Sequence, residues 1–390
     1  MPNRPQSGPP GHGEPLRVIM LGPTQVPGGM TSWLRLLLKY SDPAKVQYRV
    51  IPTDRLYAAT GRGLTFFGAI CGLRDAFLRL GQVLREVRRF KPHLVYFACS
   101  PDMGIVVRDA PMVWLLRAMG VPAVMHLHGG SVARFFGAKF PRKTVLRSAY
   151  RKCRAVLVIT REVEQAGKEL IDPGKVFYVP NMIDDELLDE PVGPAKSPAP
   201  GEPFNILNVA WVAREKGAFD MVQAMKHVTH PARCRMLGLA SPENERLLRE
   251  MIADERLAGK VEYVGIRKGR DLYDLYRQAD VFVLPTHREG PEGFPMVLTE
   301  AMLFGVPIVA NEVGNIREMI GIDTDRPAGV LLEQVDPVDP KELAGKIDSL
   351  LADAETRKAM AANGRWRVET FYKAAKVVGD LEDLLCSLGR

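Results

Sequence analysis

Two glutamates, Glu292 and Glu300, stand eight positions apart in VFVLPTHREGPEGFPMVLTEAMLFGVPIVA, in a loop and helix framed by two apolar runs. Gly293 and Phe294 follow the first, and helical character begins near Met296. A helix N-terminus leaves about four N–H groups unpaired and carries roughly half a positive charge, which suits a diphosphate. The N–H groups of Met296 and Val297 would face such a ligand. Glu300, one turn further, would accept hydrogen bonds from a vicinal diol such as a ribose, and Glu292 would meet hydroxyls on the other side of the phosphates. For Glu300 taken alone, a favourable charge near a helix start is the simpler reading.

Three weaker pieces share the same kind of position. WVAREKG places Lys216 before Gly217 where a strand passes into a helix, a cation beside a flexible backbone, with Arg214 close by. Gly29 lies in the first strand–helix loop, where PGG allows close backbone approach to a ligand. His126 and His128 in MHLHGGS share a face at the end of a strand, so one of them can be a packing histidine. Metal binding is not expected, because spacing places no third ligand.

The elements that must hold these residues alternate along the chain. LRVIMLG, HLVYFACS, PAVMHLHGG, AVLVIT and VFYVPN read as strands separated by helical stretches. FNILNVAWV, RCRMLGLA, KVEYVGI, ADVFVLPT and VPIVANE repeat the pattern. This implies an α/β fold of two Rossmann-like domains with parallel sheets, facing across a cleft. The expected layout is a disordered tail over 1–15, one domain over 16–186, a Pro-rich linker over 187–203 and a second domain over 204–365. The last segment, 366–390, is a helix expected to pack back toward the first domain. In such sheets ligands bind beyond the carboxyl ends of the strands, which is where every candidate lies.

Composition removes other classes. The chain has 390 residues, 46% of them hydrophobic, and no uncharged apolar run of eighteen. Five widely spaced cysteines form no CxxC pair, consistent with reduced cytoplasmic thiols. GxGxxG, GxxxxGK[ST], HExxH and GxSxG are all absent, which removes the usual nicotinamide, P-loop, zinc-protease and α/β-hydrolase readings. The net charge of +7 is unevenly spread: residues 1–190 hold 27 Lys and Arg against 16 Asp and Glu, residues 191–390 hold 26 against 30. No nucleic-acid motif accompanies the basic half.

Together PGG, HLHGGS, VPNMIDD, REKG, GIRKGRDLYDLYRQADVFVLPT, EGFPMVLTEAM and FGVPIVA resemble the retaining glycosyltransferases of the GT-B fold, family 4, over residues 16–365. The resemblance implies sugar transfer from a nucleotide-diphosphate donor with retention at the anomeric carbon and without a metal or other cofactor. By position, Glu300 matches the residue that holds the donor ribose and Glu292 the one on the donor sugar. Met296 and Val297 match backbone donors to the diphosphate, and Lys216 the phosphate lysine. His128 matches the histidine near the transferred sugar, Gly29 the glycine that closes on the phosphates, and Gly265 with Arg267 the turn beside the base. Two positions depart from the family pattern. Trp211 stands where an arginine is frequent, leaving Arg214 as a displaced second cation. Pro295 stands where glycine is frequent and has no N–H to offer, which puts donor-sugar recognition on Glu292 and Phe294.

The expected acceptor is a saccharide or lipid-linked saccharide in cell-surface or extracellular polysaccharide assembly, handled in the cytoplasm or on the inner face of the membrane. Arg74–Lys91 has apolar residues at helical spacing among Arg74, Arg79, Arg85, Arg88 and Arg89, next to the apolar GLTFFGAICGL. Such a helix suits an anionic bilayer, and a plain amphipathic surface helix reads the same way. A catalytically silent, membrane-docked assembly partner and a nucleotide-sugar epimerase are the alternatives on this fold.

Overall fold

The computed structural model describes residues 14–25, 28–54, 66–100, 104–129, 132–137, 139–191, 201–288, 293–333 and 336–389, without the side chains of 66–77 and 133–134. Residues 1–13 of the tail expected over 1–15 lie outside the described residues. The chain divides into two compact units, 1–182 with 374–390, and 183–373. The passage between them falls at Met182/Ile183, before the Pro-rich segment. Residues 187–191 of that segment belong to the second unit, where a 3₁₀ turn spans Asp185–Asp189, and 192–200 lie outside the described residues. At the other end the second unit continues to Lys373, eight residues past the expected limit of 365.

The first unit holds a six-stranded parallel sheet in the order β2-β1-β3-β4-β5-β6. Its strands are β1 Leu16–Gly22, β2 Val46–Pro52, β3 Leu94–Cys99, β4 Ala123–Leu127, β5 Ala155–Val158 and β6 Val176–Tyr178. Alternate residues of β1 feed opposite faces: Ile19 and Leu21 enter one core, Val18 and Met20 the other. The second core is closed by helix Gly29–Tyr40 through Trp33, Leu34 and Leu37, and by helix Ala374–Gly389 through Val377, Val378, Leu381 and Leu385.

The second unit repeats the architecture in the order β12-β11-β10-β7-β8-β9. Its strands are β7 Phe204–Val209, β8 Ala232–Leu237, β9 Val261–Gly265, β10 Val281–Leu284, β11 Ile308–Ala310 and β12 Gly329–Leu331. The chain lays down β7, β8 and β9 in one direction and then returns to the other side of β7 with β10. The strand order reverses between β7 and β10, and a crevice for ligand opens there in doubly wound sheets. Two strands had no counterpart in the sequence reading. They are β2, whose burial alternates as an edge strand's does, and the three-residue β12.

Helix Phe66–Phe90 contains the basic amphipathic segment. Its apolar positions Val83 and Val87 are buried in the core with Ile51, and Leu80 packs against that core, so these three face the sheet. Leu78, Arg85, Arg88 and Arg89 are exposed. Arg79 is turned inward and its guanidinium donates to the Pro52 carbonyl.

Candidate active site

The two strands that flank the reversal carry the strongest sequence candidates. After β7 the chain forms a short 3₁₀ turn, Arg214–Lys216, capped by Gly217 in the left-handed conformation (φ 69°). No other residue fits there, since an added Cβ would lie 2.1 Å from the Pro285 carbonyl oxygen. That approach presses the turn carrying half-buried Lys216 against the loop that leaves β10. The two loops are also bonded directly, the His287 N–H donating to the Glu215 carbonyl at 3.0 Å. The His287 ring is held at its far side by Asp220, with Nε2 and Oδ2 2.8 Å apart. Buried Asn208 and Asn311 complete the scaffold, donating to the carbonyls of Val283 (2.8 Å) and Thr286 (2.9 Å).

The loop after β10 leads into helix Met296–Leu303, whose N-cap is Pro295 and which has no side-chain cap. Leu298 N–H turns back to the Pro295 carbonyl at 3.0 Å. The N–H groups of Met296 and Val297, which precede it, have no acceptor among the described residues, so two donors stand open at the positive end of the helix. Glu300 follows one turn later. Its carboxylate accepts from the Tyr276 hydroxyl at 2.9 Å, and burial pushes its carboxyl from 4.5 up to about 7 while that hydrogen bond acts in the opposite sense. Tyr276 is itself buried, its ring stacked on Phe304 with centroids 5.7 Å apart.

Glu292 lies outside the described residues. Gly293 is buried, and its carbonyl accepts from Asn315 N–H at 2.9 Å. Phe294, expected at the donor sugar, has a ring that is 5% exposed and meets Tyr372 edge-on at 5.2 Å, which anchors the loop. Gly265 ends β9 at φ 77° with nothing near the position of a Cβ. Arg267 beyond it is exposed and donates to the Ile266 carbonyl. Beside this turn a cavity of about 290 Å³ opens between Leu239, Ala240, Tyr263 and Ile266. Trp211 is 68% exposed after β7 and brings no charge, and Arg214 is exposed on the turn that follows.

In the first unit, His128 follows β4, its N–H bonded to the Cys99 carbonyl at 2.8 Å. Its ring packs on His126 (centroids 4.1 Å) and Trp33 (5.1 Å), and burial lowers its pKa to about 3. His126 is the packing histidine of the pair, fully buried with Nδ1 against the Tyr96 hydroxyl. The Nε2 atom of His128 has no partner among the described residues. Gly29 opens its helix with no atom within 4 Å of where a Cβ would sit. Packing among the described residues does not demand a glycine there.

Tyr276, His287, Asn208 and Asn311 position the site without having been singled out by sequence. Tyr276 lies within the LYDLYRQAD motif, to which the sequence reading assigns no individual residue roles. Among the described residues no three His, Cys, Asp or Glu side chains are arranged to hold a metal ion, and no helix is long and apolar enough to cross a membrane.

Two Rossmann-like units, with an open helix N-terminus and a cationic turn at the strand reversal of the second, define a protein of the GT-B class. The model for glycosyl transferases group 1 matches residues 189–367 and that for glycosyltransferase family 4 matches residues 27–187. The chain belongs to this glycosyltransferase family. It is 30% identical over 272 residues to D-inositol 3-phosphate glycosyltransferase from Xylanimonas cellulosilytica, covering 66% of this chain and 62% of that one. It is 30% identical over 184 residues to the Staphylococcus aureus capsular polysaccharide biosynthesis glycosyltransferase CapM, covering 46% and 45%. The chain thus spans about half to two thirds of the length of these curated relatives. Its fold is that of Anabaena Alr3699/HepE crystallised with UDP, at TM-score 0.71 and 17% identity, covering 95% of this chain and 100% of that one.

Proposed function

We propose that the protein is a retaining glycosyltransferase that moves a sugar from a nucleotide-diphosphate donor to a saccharide or lipid-linked saccharide acceptor in cell-surface or extracellular polysaccharide assembly. The observation that carries the reading is the pairing of loops at β7 and β10. It fixes the turn bearing Lys216 against the loop that delivers the open N–H groups of Met296 and Val297 and, one turn on, Glu300. The names of the relatives support it: one is a capsular polysaccharide glycosyltransferase, and the structural neighbour HepE was crystallised with UDP.

On this reading Glu300 takes the ribose diol and the helix N-terminus takes the diphosphate. Gly265 and Arg267 flank the base, and Glu292 and the Gly293 backbone meet the donor sugar. Departure of the diphosphate builds negative charge on its oxygens, and the site's main task is to stabilise it. Lys216, Arg214 and the two N–H groups are assigned that role, with no metal or other cofactor required. The neutral imidazole of His128, with Gly29, serves sugar positioning as a hydrogen-bonding group. Retention follows if the acceptor attacks on the face the diphosphate leaves and a leaving phosphate oxygen takes the acceptor proton. The exposed arginines of helix Phe66–Phe90 would hold the enzyme at an anionic inner membrane face.

The test begins with thermal unfolding against UDP-, GDP- and ADP-sugars. A ligand at 100 times its dissociation constant adds about 2.7 kcal/mol of stability. One nucleotide should raise the midpoint in the wild type and not in Glu300→Ala. NMR of the product formed with that donor should show the donor's anomeric configuration retained; an inverted product sinks the retaining assignment. No shift with any donor would instead favour the non-catalytic assembly partner, the reading that the uncharged, exposed Trp211 leaves standing.

A further inference from the structure

The first unit carries a second concave site, at the opposite end of its sheet from His128. A cavity of about 620 Å³ opens where β4, β5 and β6 begin, lined by Arg117, Arg151, Lys152, Arg154 and Lys175. These cations arrive from separate places in the chain. Arg117 ends helix Ala110–Ala118 and Arg151 with Lys152 ends helix Arg142–Lys152, while Arg154 precedes β5 and Lys175 closes a 3₁₀ turn before β6. Val121 and Pro122 form part of the floor just before β4, and His128 lies just beyond that strand's far end. Five residues of strand separate the two places by roughly 16 Å.

No carboxylate and no aromatic ring lines the cavity. Among the described residues the bonds made by these cations go to neutral acceptors. Arg154 Nε donates to the Leu388 carbonyl at 3.1 Å, Lys175 Nζ to the Arg151 carbonyl at 3.2 Å, and Lys152 Nζ to Ser148 Oγ at 3.5 Å. Two heads are thereby fixed on backbone oxygens, and among the described residues no carboxylate is bonded to them. The second unit treats its surface arginines differently, pairing Arg249 with Glu245, Arg256 with Asp254 and Arg317 with Glu312. Helix dipoles account for cations in the last turns of the two helices. They do not account for Arg154 and Lys175, which are not on those helices, nor for the convergence of five like charges on one half-open concavity, whose repulsion, screened by solvent, a bound anion would relieve.

We propose that this cavity is a binding site for a compact anion carrying two or more phosphoryl charges, distinct from the sugar-transfer site. Three arginines offer planar forks that match phosphate oxygens two at a time, and two lysines add point charges. The lack of an aromatic platform among the lining residues disfavours a base or a sugar ring. The phosphate can belong to a soluble compound or to a lipid headgroup, and the two are separable by experiment. The assignment does not rest on the donor site.

Calorimetric titration of the full-length protein with inorganic tripolyphosphate tests it, comparing wild type, Lys216→Ala and the triple variant Arg117→Gln/Arg151→Gln/Lys175→Gln. Lys216→Ala should keep a saturable, salt-sensitive binding event that the triple variant weakens by at least about tenfold. The corresponding Arg117→Lys/Arg151→Lys variant, which keeps the charge, should retain most of it. An unchanged thermal midpoint and an unchanged response to donor nucleotide in the triple variant establish that it is folded with an intact transfer site. No saturable binding in Lys216→Ala, or equal binding in the triple variant, overturns the proposal. Co-sedimentation with phosphatidylglycerol vesicles but not phosphatidylcholine vesicles, lost in the triple variant, makes the phosphate a lipid headgroup. Tripolyphosphate binding without vesicle binding makes it a soluble one, and either result supports the site.

Discussion

The Tyr276 hydroxyl donates to the Glu300 carboxylate at 2.9 Å, joining helix Arg270–Gln278, which precedes β10, to helix Met296–Leu303, which follows it. Burial raises the Glu300 carboxyl from 4.5 to about 7, so this group titrates near neutrality. A ribose diol donates hydrogen bonds and therefore prefers the ionised form. Donor affinity should rise as pH increases through about 7 and level off above it, and calorimetry in buffers of different ionisation enthalpy should show proton release on binding near pH 6.5. Stability of the free protein runs the other way. The folded carboxyl holds its proton between 4.5 and about 7 where the unfolded one does not, so stability falls as pH rises through that window. Glu300→Gln should flatten both profiles; a pH dependence of affinity that survives the substitution removes Glu300 from the donor site.

Tyr276→Phe separates the hydrogen bond from the packing. The ring keeps its stack on Phe304 and its contact with Phe282, and only the hydroxyl is lost. Chemical denaturation should show a loss of about 1 kcal/mol. Because the hydroxyl lowers the Glu300 pKa, its removal should move the midpoint of the donor-affinity profile to higher pH. A variant that loses stability while keeping the wild-type midpoint would show that Tyr276 packs without tuning the carboxylate.

Gly217 and Gly265 share left-handed backbone angles, φ 69° and φ 77°, and differ in surroundings. An alanine methyl at 217 would sit 2.1 Å from the Pro285 carbonyl oxygen, whereas at 265 it would meet nothing within 4 Å. Gly265→Ala should cost only the conformational penalty, about 1–2 kcal/mol, and any further loss of donor affinity would report a ligand close to that turn. Gly217→Ala adds a backbone collision and should cost more, at least about 2–3 kcal/mol, while also displacing Lys216. Equal denaturation midpoints for the two variants would contradict the packing of the β7 and β10 loops.

The sequence carried most of the architecture because parallel strands buried on both faces are written as uninterrupted apolar runs, as in Val281–Leu284 and Leu94–Cys99. The edges were harder to read. VQYRVIP of β2 mixes polar and apolar residues because one edge is solvated, and β12 is three residues long. Glu300, Lys216 and His128 were legible because each stands at or one turn beyond a strand–helix junction, inside the run of motifs that carries the family resemblance. The supports were not. Tyr276 and His287 act through hydrogen bonds to residues 24 and 67 positions away, a relation that no local spacing encodes. Phe294 is assigned to the donor sugar because Pro295 has no N–H to offer, and its edge-on contact with Tyr372, 78 positions on, is another relation that no local spacing encodes. Segment 187–203 suggested a hinge by composition, while the division at Met182/Ile183 depends on which sheet each residue packs against.

His128 offers a prediction whose sign comes from burial alone. Desolvation lowers its pKa from 6.5 to about 3, so the imidazole is neutral at pH values well above 3, neutrality included. A role that needed imidazolium would fail there; accepting or donating one hydrogen bond to a sugar hydroxyl would not. The unfolded chain protonates this residue below about 6.5 and the folded chain does not until about 3, so the contribution of His128 to stability is complete above 6.5 and lost as pH falls toward 3. His128→Gln keeps a hydrogen-bonding side chain and cannot titrate. Its stability should fall less steeply with acid than that of the wild type, the difference between pH 5.5 and 4 amounting to about one proton. Its transfer rate should exceed that of His128→Ala and show no limb near 6.5 that the wild type lacks. An acid slope identical to wild type would mean that the native imidazole is already open to protons, and its assignment as a neutral hydrogen-bonding group beside the sugar would be withdrawn.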